Sequence, residues 1–433
     1  MKYCLIEHLN PEYKLPTGCI YVALNQEAVY YLDKRNINYI TFEDYYTSGE
    51  IRGNTDEYLV GQLKWFDEFD DLLKELYPEA KRLNLDLATI YYYWLKYMID
   101  NIILTCRVIE VFIKKENPKK IIFINNNHGD DETKHWSHIL HFQGVESTYS
   151  RLINTLCKKH GIQFERIILP ITINSHTNKI SIRKKAINYF PILYKIFNWI
   201  RYNRKIPRFF FLFYPISKKE KYNILLLSSH DIVYEFAKDI KFNSIKYFFH
   251  KSGIIYYFKS IFFQKTILQN NSRHIRTESG EDNLSSIDLK NIYDWINNKC
   301  DLNVEDALRS RIEQFINVIC PEIIRLIPYY MKFYKEKNIK YIVASHIFTI
   351  EEHAALAAAR LSKNTKSVYI HHGSDAFEAK SRYFYLDRYF DYYISGTKGE
   401  EEHEIRLRDE FGGKSPIIFH KNYLYNKYKN FNK

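Results

Sequence analysis

Three short stretches carry residues able to do chemistry, and each follows directly on a run of β-branched or aromatic residues: Ser345-His346, His371-His372-Gly373-Ser374-Asp375 and Gly396-Thr397-Lys398-Gly399-Glu400. An imidazole in such a place can donate to a phosphate or take a proton from a hydroxyl nucleophile, because its charge switches near neutral pH. A glycine after a strand lets backbone N–H groups approach an anion, and the start of a following helix favours one. A lone histidine after a strand also serves as a hydrogen-bonded structural residue, so the paired imidazoles with their glycine, serine and aspartate make the stronger candidate. Thr349, Glu351, Glu352 and His353 open an alanine-rich run, where the carboxylates suit either a base or a cap on the helix dipole. Glu400-Glu401-Glu402 reads as a solvated helix start.

An earlier group follows the apolar run Lys120–Asn125: Asn126-Asn127-His128-Gly129-Asp130-Asp131-Glu132, then His135, His138 and His141. Asp, Glu and His are metal-ligand types, but their spacing matches no defined site, and no metal is expected. A sugar- or acceptor-binding loop in which Asp130 or Asp131 supplies a base fits better, with a solvated loop as the plain alternative. The P-loop, the Gly-rich dinucleotide fingerprint, the nucleophile elbow and the zincin motif are all missing. With only 14 glycines, the chain is poorly suited to a Gly-rich dinucleotide cradle.

The elements that must position these residues follow a βαβ pattern. Strand-like runs occur at Tyr3–Ile6, Cys19–Leu24, Tyr39–Phe42 and Lys120–Asn125, separated by helical periods at Glu27–Arg35 and Ile99–Lys115. Leu59–Tyr97 reads as a helical insertion, and Ser147–His160 as a further helix. The pattern restarts at Asn223–Ser228, passes an unassigned middle and a polar loop around Gln269–Ser286, and predicts one helix over Val304–Lys335. Lys340–Ala344, Ser367–Ile370, Tyr392–Ser395 and Pro416–Phe419 predict four strands, the first two bridged by an alanine-rich helix, Ile350–Ser362. Right-handed crossovers would make these strands parallel neighbours, with ligands beyond their carboxyl ends. The fold class expected is α/β, with parallel-sheet units and helical insertions.

Length and charge set the outer bounds. A chain of 433 residues suits two domains. Six scattered cysteines suggest reduced, mostly buried thiols rather than disulfides or a zinc knuckle. The first residues run into a strand without the apolar core of a signal peptide, so the cytoplasm is the expected address. The net charge of +12 is concentrated: Arg183 to Lys221 holds eleven Lys or Arg against one acid, interleaved with aromatic residues and broken by prolines. Nothing there approaches the roughly 20 apolar residues that cross a bilayer. Trp199, Arg201, Arg204, Lys205 and Arg208 fit an anionic membrane surface, the inner face of the plasma membrane. A packed linker is the alternative, and single-stranded nucleic acid the least expected partner.

The strings YIVASH, EEHAALAAARLSK, KSVYIHHGSDAF and FDYYISGT resemble the GT-B-like glycosyltransferases of bacterial surface polysaccharide synthesis. The resemblance implies two Rossmann-like units: residues 1–175, then a basic segment 176–221, then residues 222–433. It places His372 and Gly373 at a cleft between domains, with His371 where glutamine is commoner, and matches Gly396 to the glycine after the next strand. It implies no cofactor beyond a nucleotide-activated sugar as co-substrate and a glycan or lipid-linked acceptor. His372, the Gly373 backbone and Lys398 would neutralise the leaving diphosphate, and Asp130, Asp131 or Glu351 would serve as base. Ser345, His346, Glu352, Ser374, Asp375 and Thr397 complete the candidate donor site. The chain ends soon after Pro416–Phe419, so the resemblance also implies a reduced or truncated second domain. A CDP-polyol phosphotransferase of the teichoic-acid kind and a non-catalytic glycan- or lipid-binding partner are the rival functions.

Overall fold

Continuous apolar runs need burial on both faces, and the chain meets that need with two sheets in which every strand pair is parallel. The computed structural model describes residues 1–7, 9, 12–45, 55–126, 148–169, 224–227, 247–250, 266–268, 289–345, 347, 350–371, 388–410 and 416–420. Met1–Leu169 and Tyr222–Lys433 cluster as one unit, while Pro170–Lys221 clusters as another and lies outside the described residues.

The first sheet contains β1 (Lys2–Ile6), β2 (Ile20–Ala23), β3 (Tyr39–Thr41), β4 (Lys120–Asn126) and β5 (Gln163–Leu169), in the order β3-β2-β1-β4-β5. The second contains β6 (Ile224–Leu226), β7 (Tyr247–His250), β8 (Thr266–Leu268), β9 (Tyr341–Ala344), β10 (Lys366–Ile370), β11 (Tyr392–Ser395) and β12 (Ile417–His420), in the order β12-β11-β10-β9-β6-β7-β8. The order reverses once in each: between β1 and β4, paired from Lys2↔Lys120 to Ile6↔Ile124, and between β6 and β9, paired from Ile224↔Tyr341 to Leu226↔Val343. In doubly wound sheets the ligand crevice opens beyond the carboxyl ends of the two strands flanking such a reversal. The expected neighbours β9 to β12 are adjacent and parallel. β5, seven residues long, and the short strands β7 and β8 were not among the strands expected.

The helices are α1 (Gln26–Lys34), α2 (Thr55–Leu76), α3 (Pro78–Leu83), α4 (Leu87–Ile90), α5 (Tyr92–Glu116), α6 (Thr148–Lys159), α7 (Lys290–Cys300), α8 (Glu305–Gln314), α9 (Cys320–Lys337), α10 (Ile350–Leu361) and α11 (Lys398–Glu410). Four helices of this glycine-poor chain end on asparagine or aspartate in the left-handed region: Asn84, Asn117, Asp301 and Asn338. The single helix expected over Val304–Lys335 is instead α8 and α9 joined by a π-helical turn, Phe315–Ile319. The wider turn changes the carbonyl pattern, and the hydroxyl of Tyr77 donates to the carbonyl of Ile316 there.

α2 to α5 form a helical layer that packs against α7, the π turn and α10. Trp65 is 1% exposed, and its Nε1 donates to the Ile292 carbonyl at 2.7 Å. Phe69 and Tyr91 pack on Phe315 with ring centroids 5.6 and 5.5 Å apart. Gly61 lets Trp295 approach α2, since a Cβ there would lie 2.5 Å from the indole nitrogen. Arg388, just before β11, reaches Asp67 at 2.9 Å and Asp86 at 3.5 Å. Asp70 is fully enclosed and caps α4 by accepting from the N–H groups of Ala88 and Thr89 and from the Thr89 hydroxyl. The alanines of α10, Ala354 to Ala359, are all buried, and their small size lets α9 lie close along it. Among the described residues, no helix is long and apolar enough to cross a membrane.

Candidate functional site

The carboxyl edge of the second sheet is organised around Glu400. His371 continues β10: its N–H donates to the Ile394 carbonyl at 2.9 Å, and its ring, 2% exposed, packs near Tyr393 with centroids 6.1 Å apart. Its Nδ1 lies 2.5 Å from the Glu400 carboxylate. Glu400 stands in the first turn of α11 inside a reciprocal Thr-x-x-Glu cap. The Glu400 N–H donates to Thr397 Oγ1 at 3.1 Å, while Glu400 Oε2 accepts from the N–H groups of Thr397 at 3.0 Å and Gly396 at 2.6 Å. Glycine at 396 leaves that oxygen room, since a Cβ would sit 3.0 Å from it.

Burial raises the Glu400 carboxyl, but hydrogen bonding to His371, the imidazolium charge and the two N–H groups outweigh it and leave the pKa lowered. A carboxylate at Nδ1 places that proton between the two groups, so the neutral ring presents Nε2 as an acceptor. The solvated helix start expected at Glu400-Glu401-Glu402 is therefore corrected at its first residue: the Glu400 side chain is 10% exposed. The N–H donors of Gly396 and Thr397, expected to serve a substrate anion, hold this internal carboxylate. Lys398 is exposed and lies 4.0 Å from Glu402.

A second pair repeats the motif in the open. His420, ending β12, places Nδ1 2.9 Å from Glu401 Oε2, and its side chain is 44% exposed. Between the two pairs, Ser395 is buried and its hydroxyl donates to the Thr397 carbonyl at 3.0 Å.

Ser345 follows β9 at the strand-order reversal. Its side chain is fully buried, and among the described residues its hydroxyl has no hydrogen-bond partner. An unsatisfied buried hydroxyl costs about 1–3 kcal/mol, which makes the position one to explain. His353, in the first turns of α10, is fully buried against the Tyr91 ring at 4.8 Å. Burial lowers its pKa to about 3, with the Ile90 backbone offsetting a little, so this imidazole is neutral. Glu352 is buried, and Glu351 is half-buried. Both carboxylates add to the upward shift of the Tyr330 hydroxyl on α9, which is raised by burial first, then by Tyr334, Glu351, Tyr329 and Glu352.

The fold thus gathers His371, Gly396 and Thr397 around Glu400 and sets Ser345 on the adjoining strand, through the pairing Tyr369↔Ala344. Glu351 and Glu352 stand in the first turn of α10, which packs against α9. His346, Thr349, His372, Gly373, Ser374 and Asp375 lie outside the described residues, as do Asp130, Asp131, Trp199, Arg201, Arg204, Lys205 and Arg208. Glu400 was read as part of a solvated helix start and not as a site residue, although its spacing from Thr397 is the capping-box signature. No family model, characterised protein or solved structure matches the chain.

Proposed function

We infer that the protein is a GT-B-type glycosyltransferase that moves a sugar from a nucleotide-activated donor to a surface polysaccharide or lipid-linked glycan. The observation that carries this reading is the pair of doubly wound parallel sheets, with the buried hydroxyl of Ser345 at the reversal of the second. Open α/β sheets take nucleotides in that crevice, and a second sheet of the same kind offers a separate surface for an acceptor. The acceptor hydroxyl would lose its proton to a base as the bond from the anomeric carbon to the donor diphosphate breaks. The departing diphosphate would be neutralised by positive and N–H donor groups, without a bound metal. His371, oriented by Glu400, is suited to hold a donor oxygen: it accepts at Nε2 when neutral and donates when protonated. His372, the Gly373 backbone and Lys398 supply further donors, and Asp130, Asp131 and Glu351 are the candidate bases.

Thermal denaturation with added nucleotides tests this. UDP or GDP should raise the melting temperature of the full chain, and Ser345→Ala should reduce the rise. Stabilisation by CMP or CDP alone would move the assignment to polyol-phosphate transfer. Indifference to all four would sink both enzymatic readings.

A further inference from the structure

Consecutive glutamates in the first turn of α11 each hold a histidine, one from either side of β11. Glu400 takes Nδ1 of His371 at the end of β10, and Glu401 takes Nδ1 of His420, the last residue of β12, at 2.9 Å. The register sets both imidazoles in one row: Ser395 pairs with His420, and Ile394 before it pairs with Ile370, the residue before His371. Residues paired in a parallel register project from the same face of the sheet, so His371, Ser395 and His420 stand side by side at its carboxyl edge. Neighbouring strands lie about 4.8 Å apart, which separates the two histidine backbones by about 10 Å.

The two pairs differ in what they can be for. The inner carboxylate also caps α11, and its histidine is closed in. The outer pair is open: the His420 side chain is 44% exposed and that of Glu401 23%, and among the described residues the Glu401 carboxylate accepts from His420 alone. A solvated pair of this kind adds about 0–1 kcal/mol to stability, so folding gives little reason for it. Its chemistry gives a better one. An ionised carboxylate only accepts, so the proton of the neutral ring sits on Nδ1 and Nε2 keeps its lone pair. When Nε2 takes up a second proton, the carboxylate at Nδ1 stabilises the imidazolium that forms.

We propose that His420 is the base of the transfer, taking the proton of the acceptor hydroxyl at Nε2, with Glu401 as the residue that positions its ring. The proposal rests on the glycosyltransferase reading and names the group that activates the acceptor. As the proton moves to Nε2, the acceptor oxygen bonds to the anomeric carbon, and the bond from that carbon to the donor diphosphate breaks. The electron pair leaves with the diphosphate, and the proton passes from the exposed imidazole to water. With a donor oxygen at His371 and the acceptor at His420, the span of about 10 Å between them leaves room for the diphosphate and one sugar ring.

Release of UDP from UDP-glucose and of GDP from GDP-mannose by the full chain, with water as the acceptor, reads the step. Thermal denaturation with UDP or GDP reads donor binding separately. His420→Gln should keep the rise in melting temperature and lose at least about a hundredfold in release. Nitrogen NMR of the His420 ring and its acylation by diethyl pyrocarbonate read the dyad without any donor. The neutral wild-type ring should carry its proton on Nδ1, Glu401→Gln should keep that tautomer, and Glu401→Ala should lose it and be acylated more slowly. If UDP and GDP neither bind nor are released while the ring behaves as expected, the transferase reading fails and takes the base with it. If donor binds and only the base is misplaced, His420→Gln releases nucleotide as the wild type does. The proposal is also overturned if the wild type binds donor without releasing nucleotide, if the ring carries its proton on Nε2, or if Glu401→Ala leaves tautomer and acylation unchanged.

Discussion

The two sheets share one winding pattern and differ in what stands at their carboxyl edges. At the first, Glu7 after β1 and Asn125 on β4 are buried, and Asn125 accepts a hydrogen bond from Arg166 of β5. At the second, imidazole, hydroxyl and carboxylate groups meet, and the start of α11 is filled from within by Glu400. The topology sets where a crevice opens, while the helix that follows each strand decides its charge. The second edge already contains an anion, so a substrate phosphate there must displace Glu400 or bind along the edge toward Ser345.

The largest expected effect breaks the second edge. Glu400→Ala removes the helix cap and strands His371 in a buried site, and should cost about 3–5 kcal/mol in urea unfolding. Glu401→Ala, whose partner His420 is largely solvated, should stay within about 0.5 kcal/mol. Equal losses would erase the distinction between the buried and the open pair.

A second measurement sharpens the comparison by silencing the shared helical layer. Burial pushes the Asp70 carboxyl up to about 8, against hydrogen bonds from Thr89 and Ala88. An acid raised in the folded state binds its proton better there than in the unfolded chain, whose value is about 4. Stability should therefore fall as pH rises from about 4 to about 8, by up to about 1.4 kcal/mol per pH unit. Asp70→Asn should flatten that slope, and a wild-type profile without it would refute the assignment.

The smallest effect belongs to the first edge. Asn25 caps α1 through the Ala28 N–H and pins the Glu7 carbonyl, so Asn25→Ala should cost about 1 kcal/mol by chemical denaturation. An unchanged unfolding midpoint would show that Glu7 is held by other means.

Most strands were legible in the sequence, because strands covered on both faces must be written as unbroken apolar runs, as in Tyr3–Ile6 and Tyr392–Ser395. Helix α10 was legible from its alanines, and β9 to β12 were recognisable as neighbours from their short crossovers. The π turn at Phe315–Ile319 was not, since α8 and α9 keep one helical period on either side of it.

The sequence by itself determined the class of fold and marked the strand ends where polar groups stand. Only the tertiary structure decided which of those groups meet. Glu400, Glu401 and Glu402 are chemically alike in the chain, and the position of His371 on the neighbouring strand singles out the first. Arg151 of α6 and the Asp306 carbonyl of α8 are 155 residues apart in the chain and meet only because the two helices pack. Local periodicity records which face of an element is buried, whereas charge partners across crossovers depend on strand order, which short-range pattern does not encode.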